Sequence, residues 1–190
     1  MKICRVSPED AAALLDIYAP YVLNTAITFE YTVPELGEFR DRIITISAKY
    51  PYIKAVDDDG SVLGYAYAAP FHKRKACEWA VETSVYIRSD AKRRGIGSML
   101  YAELEGSLKR MGILNMNASI AEPNGEDEYL TCDSIHFHEK YGFSLAGRIH
   151  DAGHKFGHWY NLLWMEKSIG EHTMDTYDVR FGQWKLTDEL

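Results

Sequence analysis

The chain has 190 residues, 46% of them hydrophobic and 26% charged, which is enough apolar material for a packed core and falls outside the composition of disordered chains. With 21 Lys and Arg against 28 Asp and Glu, a formal charge of −7, a chain-wide nucleic-acid surface is excluded, because phosphate neutralisation needs clustered cations. No apolar run approaches the roughly 20 residues of a membrane span, and Met-Lys-Ile-Cys-Arg-Val at the start lacks a signal peptide's apolar stretch. A cytoplasmic protein with no membrane or nucleic-acid partner is expected. Cys4, Cys77 and Cys132 are odd in number and far apart, so neither a disulfide framework nor a metal site is expected.

Residues 2–6 alternate polar and apolar like a short strand. Ser7-Pro8-Glu9-Asp10 then offers an N-cap, a first-turn proline and two acids suited to the helix dipole, predicting a helix over about 8–21 with Leu14, Leu15, Ile17, Tyr18 and Tyr21 inward. A second helix is predicted over about 34–49 through Phe39, Ile43, Ile44 and Ile46, after a polar and aromatic loop at 24–33. Residues 52–56 and 62–68 flank Asp57-Asp58-Asp59-Gly60 and read as a hairpin; residues 79–87 read as a third strand. From Gly97 on, Leu100, Leu104, Leu108 and Met111 mark one helix face that Gly112 ends. A strand at 115–120, an acidic loop at 121–132, a short helix capped by Ser134 and ending at Gly142, and closing strands at 143–149 and 160–167 complete an α+β domain over 1–167. The remainder, 168–190, is polar and weakly periodic, and reads as a C-terminal extension.

The most informative segment is Val85-Tyr86-Ile87-Arg88-Ser89-Asp90-Ala91-Lys92-Arg93-Arg94-Gly95-Ile96-Gly97-Ser98: a strand, a basic turn and a helix start. Glycine lets a backbone approach a ligand closely, and the unpaired N–H groups and positive dipole end of a helix N-terminus favour an anion. Leu100 stands where a dinucleotide fingerprint needs a third glycine, and G-K-S/T is absent, so neither common nucleotide motif fits. The segment is either an anion-binding turn or a solvated basic one.

This string resembles the acetyl-CoA-binding motif of the GNAT superfamily of N-acetyltransferases. T-F-E at 28–30, G-Y-A-Y-A at 64–68, V-E-T-S-V-Y at 81–86, F-H-E-K-Y-G-F at 137–143 and G-H-K-F-G-H-W at 153–159 are similar to its phosphinothricin acetyltransferase branch, the likeness covering about residues 3–167. It implies the GNAT fold, a mixed central sheet of six to seven strands flanked by helices in the order β-α-α-β-β-β-α-β-α-β-β, with acetyl-CoA as cofactor. By the same resemblance Val85, Tyr86 and Ile87 run beside the pantetheine arm. Lys92, Arg93, Arg94, Gly95, Ile96, Gly97 and Ser98 hold the pyrophosphate, with Lys92 where the superfamily has Gln or Arg. Asn124 or Asp133, with Ser134, takes the contact usually made by an asparagine.

Acetyl transfer from a thioester needs a neutral amine, a polarised carbonyl and a proton for the departing thiolate. Strand alternation puts Glu82 on one face with Ser84 and Tyr86, and it matches the branch's general base. His138 stands where relatives protonate the thiolate; a helix-packing histidine is the alternative reading, and His136 faces elsewhere. Phe29, Glu30, Arg74, Tyr86 and Trp159 are candidate acceptor-pocket residues, Arg74 being able to clamp a carboxylate, while Cys77 stands where the branch often has an aromatic. The resemblance implies a homodimer, with 153–159 a loop near the site. The expected acceptor is a small amino-acid-like amine. A polyamine, an aminoglycoside or a protein N-terminus is the alternative, favoured if Glu126, Asp127 and Glu128 line an acidic groove, and a catalytically inactive CoA-binding module is a further one.

Overall fold

The computed structural model describes residues 1–125, 127–175 and 177–189. Among these residues seven strands, β1 (Lys2–Arg5), β2 (Tyr52–Val56), β3 (Val62–Pro70), β4 (Ala80–Ile87), β5 (Asn115–Pro123), β6 (Ser144–Lys155) and β7 (His158–Ser168), are interspersed with four α-helices. The helices are α1 (Ala11–Asn24), α2 (Leu36–Ser47), α3 (Ile96–Met111) and α4 (Asp133–Lys140), so the element order is the expected one. The strand order is β1-β2-β3-β4-β5-β7-β6. Contacts group the residues into two units, the first holding Met1–Ile17, Pro34–Met116 and the chain from Ser168 on, the second Tyr18–Val33 and Asn117–Lys167.

In the first unit β1 to β4 pair antiparallel in sequence order. Alternation along β4 buries Val81 and Thr83 on one face, where the Thr83 hydroxyl lies 3.3 Å from the Tyr101 hydroxyl of α3. That helix buries Ile96, Leu100, Leu104, Leu108 and Met111, the stripe its spacing predicts. It ends where Gly112 adopts φ 91° and donates to the carbonyls of Leu108 and Lys109, a conformation glycine takes without a Cβ penalty. The other sheet face carries a tyrosine ladder, with Tyr52 4.8 Å from Tyr67 and 5.9 Å from Tyr65, and Tyr65 5.4 Å from Tyr86.

The chain from Ser168 on, where no element was expected, packs within this unit. The Ile169 amide donates to the Leu114 carbonyl and the Gly182 amide to that of Lys49. Trp184 is buried with the Arg5 guanidinium 4.0 Å above its ring. Arg5 also holds the Glu189 carboxylate through Nε and Nη2, at 2.9 and 2.6 Å, which pulls that carboxyl down to about 2.

Several boundaries differ from expectation. The first turn after Ser7 is a 3-10 turn, Pro8–Asp10, closed by the Ser7 amide donating to the Asp10 carboxylate at 2.8 Å. The helix α1 continues past Pro20, which cannot donate to the preceding turn, because Tyr21 and Val22 beyond it are buried. In the second unit Cys132, not Ser134, precedes α4, and Ser134 lies in the first turn. The strands β6 and β7 reach further than expected, pairing Gly153 with Tyr160, His154 with Trp159 and Lys155 with His158. Residues 153–159 are thus the end of a hairpin rather than a loop. It turns at Phe156 and Gly157 with φ 51° and 82°, and its polar sequence hid the alternation. This unit's core joins Ala26, Ala121, Leu130 and Tyr160 to Ile27, Phe29 and Tyr129.

Candidate active site

The strand β4 organises the first unit's chemistry. Pairing to β3 places Glu82 opposite Ala69, Ser84 opposite Tyr67 and Tyr86 opposite Tyr65, so the three lie on one face as expected. Glu82 is half-buried beside an apolar cross-strand partner, and burial pushes its carboxyl above the ordinary range because charge is poorly solvated there. Arg74 is exposed in the connection between β3 and β4, its amide donating to His72 Nδ1 at 3.2 Å. Glu82 is therefore near the same end of the hairpin as Arg74.

At the other end of β4 the chain leaves Ile87 through a 3-10 turn, Ser89–Ala91. The turn is pinned by the Arg88 amide on the Leu63 carbonyl at 2.8 Å, by Arg88 Nε on Asp90 at 2.6 Å, and by buried Ala91 and Ile96. Lys92 is extended, Arg93 takes φ 61° and Gly95 φ 79°, and the helix α3 starts at Ile96. Among the described residues no side chain caps that helix, which leaves the amides of Ile96, Gly97 and Ser98 open toward a ligand. Lys92, Arg93 and Arg94 are all exposed; Arg94 approaches Asp57 at 3.6 Å, too far and too solvated to neutralise it firmly. Uncapped amides, a positive dipole end and three cations suit a pyrophosphate. Val85 and Ile87 stand half-buried on the strand leading into it.

In the second unit His138 is buried on α4, its Nδ1 2.7 Å from the Ser134 carbonyl, edge-on to Phe137 and Phe143 at 5.2 and 5.1 Å. A carbonyl only accepts, so Nδ1 carries the proton and the neutral ring presents Nε2 as an acceptor. Burial pushes this imidazole below its ordinary pKa, against the opposing pull of that carbonyl, which favours the neutral form. Asn124 donates to Asp151 Oδ1 at 2.9 Å and to the Trp159 carbonyl at 3.1 Å. Asp133 is exposed at the start of α4, with Ser134 half-buried beside it. Phe29 and Glu30 are half-buried in the segment after α1, and Trp159 is exposed on β7.

Of the acidic trio, Glu126 lies outside the described residues and Glu128 is exposed. Asp127 is turned inward, accepting from the Tyr160 hydroxyl at 2.9 Å and the Tyr129 amide at 2.6 Å. Burial and that carboxylate together raise the Tyr160 pKa far above its ordinary value. Asp127 is thus committed to the core and does not face a cationic ligand.

Comparison with known proteins agrees with this geometry. The family described as "Acetyltransferase (GNAT) domain" matches residues 3–164. The chain belongs to the GNAT acetyltransferase family. A phosphinothricin N-acetyltransferase of Streptomyces coelicolor is 34% identical over 164 residues, which are 85% of this chain and 92% of that protein. An L-methionine sulfoximine/L-methionine sulfone acetyltransferase of Pseudomonas aeruginosa is 30% identical over 161 residues, 84% of this chain and 90% of that one. A solved GNAT phosphinothricin acetyltransferase from Sinorhizobium meliloti, in complex with AcCoA, superposes with a TM-score of 0.85 at 33% identity over 96% of this chain and 97% of that one. This acetyltransferase therefore uses acetyl-CoA as the group donor.

Sequence reasoning missed two buried polar residues of this acetyltransferase. The sequence offers Asp127 only as part of an acidic groove, and Lys155, only 2% exposed, falls within the 153–159 motif with no role of its own. Burial pushes its ammonium below the ordinary lysine pKa, and Glu30 pulls it back up.

Proposed function

We propose that the enzyme acetylates the α-amine of a small amino acid analogue of the methionine sulfoximine or phosphinothricin type, with Glu82 as general base. The observation that carries this is the layout of β4: Glu82 near one end and the uncapped basic turn at the other. Glu82 lies about 17 Å from Ile87, where β4 ends and the chain turns toward that helix start, at roughly 3.3 Å per strand residue. That arrangement suits an extended donor held by its phosphates at one end and presenting its thioester at the other. The names of the relatives point to the same acceptor class.

Acetyl-CoA supplies the activated acyl group. Arg93, Arg94, Gly95, Ile96, Gly97 and Ser98 hold its pyrophosphate, with Lys92 adding charge, and Val85, Tyr86 and Ile87 flank its arm. Glu82, made more basic by burial, removes a proton from the acceptor's ammonium, directly or through water, so that the amine lone pair can attack the thioester carbon. Phe29 and Glu30 meet the acceptor together with Trp159, and the exposed Arg74 pairs with its carboxylate. The two bonds already made by the Asn124 amide favour Asp133, beside Ser134, for the remaining cofactor contact. His138 accepts at Nε2 and donates only after taking up a proton, so its turn in the reaction is to receive a proton before passing it to the thiolate.

The protein is also proposed to pair as a homodimer through β6, the last strand in the sheet order, where Leu145 and Ile149 are exposed, as is Trp159 of β7. An unpaired apolar edge invites a second copy. The test of function is acetyl-CoA turnover, read as free thiol, against methionine sulfoximine, phosphinothricin, proteinogenic amino acids, polyamines and aminoglycosides. Turnover confined to the amino-acid-like amines is expected; preference for a polyamine or aminoglycoside would overturn the acceptor assignment, and no turnover with any amine would leave a CoA-binding module.

A further inference from the structure

The Lys155 side chain of β6 is fully buried and its ammonium donates to three backbone carbonyls, those of Val22, Thr25 and Thr28, each at 2.8 Å. An ammonium has three N–H groups, and here all three end on one short stretch of chain. That stretch leads directly into Phe29 and Glu30. Its neighbours in sequence touch the same stretch. A Cβ at Gly153 would fall 2.4 to 2.7 Å from three carbons of the Phe29 ring, so the ring rests on bare backbone. The Tyr31 hydroxyl donates to the His154 carbonyl.

Three consecutive residues of one strand thus each engage residues 22–31. The contacts differ in kind: a charge-assisted fork, a ring laid on a glycine and a hydroxyl bond. A desolvated ammonium tolerates little displacement of its acceptors, since losing any one leaves buried charge unsatisfied. A surface lysine would impose no such register.

We propose that Gly153, His154 and Lys155 form a dock that fixes the segment 22–31, with Lys155 as a positioning residue that sets acceptor specificity through Phe29 and Glu30. This rests on the reading that Phe29 and Glu30 meet the acceptor. The dock explains why a lysine is buried at the end of a hairpin, where a methionine would pack with no desolvation penalty, and why glycine stands at 153 with an ordinary backbone conformation. It predicts that loosening the dock alters which amines are accepted and leaves the donor side unchanged.

The test is steady-state kinetics of the full chain with acetyl-CoA and two acceptors, methionine sulfoximine and a shorter α-amino acid, together with amide exchange of residues 26–31. Lys155→Met keeps the stem and removes the ammonium. The expected result is faster exchange at 26–31, an acceptor KM raised roughly ten- to a hundredfold as befits displacement of a positioning group, an acetyl-CoA KM within about twofold, and an altered ratio of kcat/KM between the two acceptors. Gly153→Ala should change that ratio by displacing the Phe29 ring. Tyr31→Phe, at an exposed position that does not endanger folding, should raise acceptor KM a few-fold; these two variants decide the matter if Lys155→Met does not fold. Unchanged exchange and unchanged acceptor kinetics in the folded variants would overturn the proposal, as would equal effects on both substrates. Phe29→Ala separates the two readings. If it raises acceptor KM while the dock variants do not, the dock is refuted; if it too is without effect, the acceptor assignment of Phe29 fails and the dock's role in specificity falls with it.

Discussion

Replacing Glu82 with Gln preserves the shape of a half-buried side chain and deletes its basicity. Burial alone raises the Glu82 carboxyl, so the protonated form is the one the fold favours. The stability attached to it is present below the carboxyl's ordinary pKa and is lost as pH rises through the elevated value. Glutamine is neutral throughout, and Glu82→Gln is expected to be at least as stable as the native enzyme at neutral pH. Its rate should fall all the same. Positioned base catalysis is worth about 10² to 10⁴-fold, or roughly 2.7 to 5.4 kcal/mol at 1.36 kcal/mol per tenfold. The assay is kcat/KM for the acceptor by thiol release from about pH 5.5 to about 9, alongside thermal melting and acetyl-CoA affinity. Native activity should climb through the raised carboxyl pKa. The variant should lack that limb and recover only as solvent deprotonates the acceptor ammonium. Glu82→Gln within about threefold of native at every pH, with chemistry rate-limiting, would refute the base assignment and leave proximity as the source of rate.

Gly95→Asp puts a negative side chain at the start of α3; Asp tolerates the left-handed conformation better than most residues, at a strain of about 1–2 kcal/mol, so the folded variant should lose thermal stabilisation by acetyl-CoA, and retention of the full shift would contradict the pyrophosphate assignment. Trp184→Ala empties a buried site beneath Arg5 and should cost about 3–5 kcal/mol, a fall in Tm on the order of 10 °C for a chain of this size; a change under 2 °C would show that the C-terminal segment is dispensable to the first unit. Sedimentation at micromolar concentration should give twice the chain mass of 21.7 kDa, and Ile149→Asp should halve it; a monomer in the native protein would refute pairing through β6.

The helix α3 and its ends were legible in the sequence because their determinants are local: a four-residue apolar stripe and glycines whose left-handed conformations at Gly95 and Gly112 carry their own explanation. The basic turn into α3 was legible for the same reason, as was the common face of Glu82, Ser84 and Tyr86, since strand period is a property of backbone alone. The hairpin between β6 and β7 was underestimated because His150, Asp151 and His154 are polar where alternation was sought, and cross-strand pairing stabilises an element whatever its pattern. The chain from Ser168 on showed no periodicity because Val179, Trp184 and Leu186 are buried one at a time against a surface that exists only after folding. Asp127 and Lys155 mark the limit most clearly. An acid in a polar loop and a lysine near a turn are ordinarily solvated, and nothing adjacent in sequence says otherwise. Their partners are Tyr160, 33 positions away, and carbonyls 127 to 133 positions away. The sequence by itself determined the order of the elements, the basic glycine turn before α3 and the face of β4 that carries Glu82. The tertiary structure decided which charges are desolvated, because desolvation depends on what distant segments bring to a side chain.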